Sequence, residues 1–286
     1  MAATGPTARA RGRLLVRGQS IAPALFVPLF HAVACQIESL AARDFLDDAG
    51  KLARGLGALH DAVRSDALVC CCSAGIEAEA AGADLSWDAY PPRVVSAPER
   101  EVAISELSRS PRLAAALEAT RRLSATARGE PLLVAALTGP ATLAAQLGGD
   151  DSARSIERAG ERAGAIGVDL AGQFCRAGAS LIVLLEESVP GSEENLALWR
   201  STLSPILKVA RFYQALAVVV SATPLIQATL GLGEERDRAT PVVALPETTA
   251  EWPIERPQAN LITTVREVPS STPVAELRAA CHRLYG

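Results

Sequence analysis

An α/β chain folded as a (β/α)8 TIM barrel, somewhat trimmed in its C-terminal third, is the architecture this sequence predicts, and three observations predict it. Short β-branched or leucine-rich runs recur along the chain, longer alanine-rich amphipathic stretches follow most of them, and eight such runs can be counted. Strands that alternate with helical stretches pair in parallel, because a parallel connection has to cross back over the sheet and a helix is the usual crossover. The 286 residues, 49% hydrophobic and 21% charged, are enough for one large buried core, and α/β barrels reach this size undivided.

The runs are Ala24 to Phe30, Asp66 to Ser73, Arg93 to Ala97, Pro131 to Gly139, Ser180 to Glu187, Leu216 to Ala222, Thr240 to Pro246 and Asn260 to Val268. Between them, Ile37 to Ala62 carries apolar residues at helical spacing, with Asp47 and Asp48 as a break and a new N-cap. Pro111 to Ala127, Ser152 to Arg176 and Asn195 to Gln214 repeat the amphipathic pattern. Two places depart from a regular barrel. Pro253 and Pro257 leave no room for an ordinary helix between Glu247 and the last strand, and the glycines and dense charge of Leu230 to Arg238 read as an exposed loop with a shortened helix. Gly148-Gly149-Asp150 and Gly231-Leu232-Gly233 read as turns, since neither links a strand to a helix at phosphate-loop spacing.

The segment Thr7 to Arg13 is basic and is not followed by the apolar core and cleavage site of a secretory signal, so residues 1–20 read as a flexible basic terminus and 21–286 as one barrel domain. No apolar run reaches the length of a membrane helix, and a net charge of -4 argues against a nucleic-acid surface. Six cysteines without paired spacing suit reduced thiols in a cytoplasmic protein. In an unbroken strand Cys70 and Cys72 would share one face and Cys71 take the other, all three as small apolar filling.

Several stretches go beyond periodicity. Asp66 to Ser73 followed by Glu77 to Asp84, Ile37 to Ala53, Leu137-Thr138-Gly139-Pro140-Ala141-Thr142-Leu143-Ala144, and Ala177 to Glu187 together resemble the uroporphyrinogen decarboxylase superfamily, with the Leu137 to Ala144 stretch the strongest match. That superfamily holds decarboxylases of haem synthesis and zinc methyltransferases that serve corrinoid proteins. The N-terminal half is more similar to the methyltransferase branch. The resemblance implies a barrel with its pocket at the carboxyl ends of the strands, where barrel architecture also puts it.

The departures from the family pattern bear on chemistry. Where the decarboxylases carry a pyrrole-organising Asp, this chain has Ser73, and where they carry carboxylate-binding arginines it has Phe30 to Cys35. Where the methyltransferases carry a His-x-Cys zinc pair, it has Val220-Ser221-Ala222-Thr223, and Cys281 in the last helix has no visible partner. No cofactor is therefore expected, and zinc least of all.

The residues projected to the barrel mouth supply the candidate site. His31 and Glu186 are the candidate catalytic, proton-handling groups, Glu186 because it closes an otherwise apolar strand where burial would raise its pKa. Ser73, Thr138, Glu187, Thr223, Glu247 and Arg266 are candidate ligand-binding residues, and Arg266 is the one cation expected there, free for a carboxylate or locked to the rim by Glu267 or Glu247. His60 and His282 fall on outer helices as surface residues. Two functions follow. One is metal-independent decarboxylation or methyl transfer on a tetrapyrrole, a corrinoid-linked group or a small organic ligand, as a lyase or methyltransferase. The other is a non-catalytic accessory barrel that binds a tetrapyrrole, a corrinoid protein or a sister subunit, and a homodimer is compatible with either.

Overall fold

The computed structural model describes residues 5–72, 74–127, 130–148, 153–187, 193–221 and 242–285. Two parallel sheets form its centre. Strands β1 (Leu25–Val27), β9 (Leu261–Thr264) and β8 (Val242–Leu245) make one, in the order β1-β9-β8. Strands β2 (Ala67–Cys71), β5 (Leu132–Thr138), β6 (Leu181–Glu186) and β7 (Leu216–Ser221) make the other, in chain order. Asp66 joins them: its backbone N–H donates to Phe26 O at 3.1 Å, and its carboxylate accepts from Phe26 N at 2.9 Å and pairs with Arg11.

The expected strand Arg93 to Ala97 is a correction. Arg93–Ser96 (β4) pairs antiparallel with Asp84–Ser86 (β3) in a separate hairpin. A strand inside a parallel sheet must be apolar on both faces, and β4, with Arg93 and Ser96 exposed, cannot be. The parallel α/β architecture is thus present with one fewer of the counted runs than the sequence predicts.

Period-two alternation builds the inner core. Leu25 and Val27, Val134 and Ala136, Leu181 and Val183, and Val218 and Val220 meet between the sheets, while their neighbours face outward to helices. Strand β2 breaks this period. Val69 pairs with Val134 but Cys71 pairs with Ala135, so Cys70 and Cys71 together oppose one step of β5. The extra residue of this bulge sends both Cys70 and Cys71 into the outer helical layers and returns Cys72 to the interior. The expectation that Cys70 and Cys72 share a face is thereby corrected.

The terminus read as flexible is a helix, α1 (Ala8–Val16), capped by Thr7, whose side chain accepts from Ala10 N at 3.2 Å. Ala8, Gly12 and Leu15 recur at helical spacing and are buried against the amino ends of the strands; a Cβ on Gly12 would stand 2.7 Å from Leu132 Cδ2. Arg11, buried among them, donates to Pro23 O and pairs with Asp66, so part of the basic character serves packing rather than solvation.

Helices cover the outer faces. Asp48 caps α3 (Ala49–Val63), accepting from Gly50 N and Lys51 N, which is the break and N-cap expected after α2 (Ala42–Leu46). Helices α5 (Pro111–Thr126), α7 (Ala153–Ala177) and α8 (Glu193–Phe212) match the predicted spans within about two residues. In α7, Ala163, Ile166, Leu170 and Phe174 form the buried stripe. After β8 only a short 3-10 turn, Thr249–Glu251, precedes β9, as the prolines require, and α9 (Val274–Tyr285) closes the chain. His60, expected at the surface, is half-buried near the end of α3, and burial lowers its pKa.

Candidate functional site

The turn after β5 is the most tightly held element at the carboxyl ends of the strands. It runs from Thr138 into α6 (Pro140–Leu147), with Pro140 at the first helical position, where a missing N–H costs nothing. Two buried glutamates grip it from either side. Glu77, in the short helix α4 (Ile76–Ala80), accepts from Thr138 N at 2.9 Å and Thr138 Oγ1 at 2.7 Å. Glu186, closing β6, accepts from Ala141 N at 3.1 Å, Thr142 N at 2.9 Å, Thr142 Oγ1 at 2.7 Å and Trp199 Nε1 at 2.7 Å. The carboxylate thus caps α6 at its positive end. Gly139 permits the approach, since a Cβ there would lie 2.2 Å from Glu186 Cδ.

Beside this turn opens a cavity of about 510 Å3. It is walled by the ends of β2, β5 and β6, by Tyr90 and Pro91 from the hairpin segment, and by the segments after β8 and β9. Its surface is largely apolar, from Cys72, Ala136, Leu137, Leu185, Val265 and Val268 among others, with Glu187, Glu247, Arg266, Glu267 and Tyr90 set into it. That composition and volume are those of a small-molecule site.

Among the described residues, Glu267 is one of three groups on the cavity wall whose pKa burial raises. Its Oε1 accepts from Ala32 N at 2.6 Å and its Oε2 from the Tyr90 hydroxyl at 2.6 Å. Burial pushes its pKa up to about 8, against the pull of those two hydrogen bonds. Tyr90 is driven well above the ordinary phenol value by burial and then by the Glu267 charge, and Cys72 well above the ordinary thiol value for the same two reasons. Backbone ties hold the carboxyl in place: Val268 N donates to Leu29 O at 3.0 Å, and Thr264 Oγ1 donates to Arg266 O at 2.6 Å.

Of the residues predicted from sequence, Thr138, Glu186, Glu187, Glu247 and Arg266 line this one cavity. His31 does not. It is 1% exposed, with its Nδ1 3.9 Å from Glu267 Oε1 on the inner side of that carboxyl, and burial lowers its pKa to about 4, so it stands neutral behind the wall. Glu186 lines the cavity, with its oxygens accepting from the Ala141, Thr142 and Trp199 donors that tie it to the turn. Ser73 and Thr223 lie outside the described residues. Arg266 makes no ion pair among the described residues, and Glu267 turns to Tyr90 and Ala32 instead of locking it.

Tyr90 and Glu77 were not predicted. Tyr90 sits in a proline-bounded loop with no periodic signal, and only its hydroxyl beside Pro91-Pro92 could have drawn attention. Glu77 reads as an ordinary residue of a short helix, and nothing local shows that it faces Thr138 across 61 positions of chain.

The zinc of the methyltransferase branch finds no donor set among the described residues, where no group of three or more His, Cys, Asp or Glu side chains could hold a metal ion. Cys70 and Cys71 face the outer layers, Cys281 packs in α9, and Cys72 alone of these four lines the cavity.

The fold and site define a parallel α/β protein with a ligand-sized cavity at the carboxyl ends of its strands. Residues 30–161 match the family model described as uroporphyrinogen decarboxylase (URO-D), so the resemblance read from the residues is shown over the stretch that includes β2, the hairpin and the clamped turn. A methyltransferase from Methanosarcina mazei has the same fold, with a TM-score of 0.75 over 98% of this chain and 99% of that one, at 15% identity. No curated protein matches the chain. Among the described residues no helix is long and apolar enough to cross a membrane.

Proposed function

We propose that the two sheets form one (β/α)8-type barrel and that the cavity at its carboxyl ends binds a small organic acid and delivers a proton to it from Glu267, in a metal-independent decarboxylation. The observation that carries this reading is the buried Glu267–Tyr90 pair, hydrogen-bonded at 2.6 Å and open to the cavity. A carboxyl with a pKa of about 8 carries its proton at neutral pH. With Oε1 engaged by Ala32 N–H, the proton resides on Oε2, against Tyr90. The phenol hydrogen is then free to turn into the cavity, so that carboxyl and phenol form a relay ending at the ligand. In the reaction the bond to the departing carboxylate breaks, CO2 leaves, and the electron pair left on carbon takes a proton through Tyr90. Glu267 is left ionised and is reprotonated from water. A standing proton donor favours this chemistry over methyl transfer, in which the acceptor has to lose a proton.

The test is CO2 release from a panel of organic acids, porphyrinogens included, incubated with the full chain. Release that is lost in Glu267→Gln and strongly reduced in Tyr90→Phe supports the reading. Release unchanged in Glu267→Gln removes that residue from the mechanism. Ligand-dependent stabilisation without any release supports the accessory reading instead.

A further inference from the structure

We propose that the ligand of this cavity is a small zwitterion, an amine and a carboxylate carried on an apolar body. This rests on the reading of the cavity as the ligand site and names the substrate class. Three charged side chains on its wall have no ion-pair partner among the described residues: Arg266, Glu187 and Glu247. Arg266 and Glu187 are exposed and Glu247 is half-buried, whereas two buried arginines elsewhere are paired. Arg11 pairs with Asp66, and Arg112, 4% exposed, pairs with Asp47 and Glu79 and stacks 4.1 Å from the Trp87 ring. In the same cavity Glu186 spends its lone pairs on Ala141, Thr142 and Trp199, and Glu267 spends its own on Ala32 and Tyr90. The wall therefore offers one guanidinium and two carboxylates to whatever enters, over an otherwise apolar surface.

A ligand with several carboxylates would satisfy Arg266 once and then face Glu187 and Glu247 with like charge. A plain amine would leave the guanidinium bare, and a plain acid would leave both glutamates bare, each at the cost of desolvating an unpaired charge. A ligand whose carboxylate takes the Arg266 fork and whose ammonium lies toward Glu187 and Glu247 satisfies all three, while its apolar body covers Leu137, Leu185, Val265 and Val268. About 510 Å3 suits a molecule of amino-acid to small-peptide size.

The experiment is calorimetric titration of the full chain at pH 7 with matched probes: norleucine and 6-aminohexanoate as zwitterions, hexanoate as the acid, hexylamine as the amine, and adipate as the diacid. At least one zwitterion is expected to bind at least tenfold more tightly than the acid, the amine or the diacid. Arg266→Gln should bring that zwitterion to the level of the amine, and Glu247→Gln with Glu187→Gln to the level of the acid. Circular dichroism and thermal melts check folding, and Arg266→Lys, which keeps the charge but loses the fork, should bind between the wild type and Arg266→Gln. Adipate or hexanoate binding as tightly as both zwitterions overturns the inference, as does zwitterion binding that is indifferent to Arg266, or no binding by either zwitterion. The CO2 measurement separates the two readings. Release from acids without an amine keeps the decarboxylation and sinks the zwitterion, whereas zwitterion binding without any release does the reverse.

Discussion

The two sheets present acids to the same cavity and use them in opposite ways. At the carboxyl end of the four-stranded sheet, Glu186 accepts four hydrogen bonds and, with Glu77 behind the cavity wall accepting two from Thr138, holds the Thr138 to Thr142 turn. After the three-stranded sheet, Glu267 accepts two hydrogen bonds, half as many as Glu186, where burial raises its pKa, and Arg266 and Glu247 make no ion pair among the described residues. The first arrangement stabilises a scaffold, and the second is the one to which the proposed proton transfer is assigned. The family match, residues 30–161, includes Glu77, Tyr90 and the Thr138 to Thr142 turn and stops short of Glu186, Glu247, Arg266 and Glu267. The match thus ends before the charged residues that line the cavity.

Substitutions that break the scaffold should have the largest effects. Gly139→Ala places a methyl group where Glu186 Cδ stands and should cost about 4 kcal/mol or prevent folding, read from the denaturant midpoint. A loss near zero would mean that the clamp is slack. Glu186→Gln keeps the shape but turns an amide donor toward donors, so about 3 kcal/mol should be lost while ligand binding by the folded fraction persists.

The reactive half should show itself in pH dependence. Glu267 has a folded pKa of about 8 against an ordinary 4.5, so between these values the native state holds a proton that the unfolded chain releases. Its contribution is present at low pH and is lost as pH rises toward 8, on the order of 5 kcal/mol. Melting curves of Glu267→Gln should lack that decline. His31 has the opposite sign: with its pKa lowered to about 4, the unfolded chain takes up a proton first, and stability falls as pH drops from 6.5 toward 4, by about 3 kcal/mol. The two trends oppose each other between pH 4.5 and 6.5, so the wild type should vary little there, His31→Gln should grow more stable on acidification, and Glu267→Gln less stable. The smallest effect is expected of Thr138→Val, which deletes the Oγ1 bond to Glu77 but keeps the backbone one, at about 1 kcal/mol in a urea titration.

Much of this arrangement was legible before any coordinates. Strand runs such as Pro131 to Gly139 and helices such as Asn195 to Gln214 follow from apolar spacing, because burial on a strand or helix face imposes a local period. Thr138, Glu186, Glu187, Glu247 and Arg266 were found because a polar residue ending a buried parallel strand points toward the mouth. The misses have physical causes too. The bulge at Cys70 and Cys71 inverted a parity argument, and α1 was passed over because its basic residues masked the Ala8, Gly12, Leu15 stripe.

By itself the sequence determined the parallel α/β class, the order of most elements and the set of polar residues that could reach the carboxyl ends, since all of these depend on local periodicity and strand termini. Only the tertiary structure decided which acid would be engaged by four donors and which would have its pKa raised by burial. That choice depends on partners far away in the chain: Trp199 and the α6 N-terminus satisfy Glu186, while Tyr90 meets Glu267 across 177 positions in a place that water scarcely reaches. Desolvation and hydrogen bonding are properties of the assembled neighbourhood, and no stretch of sequence carries them alone.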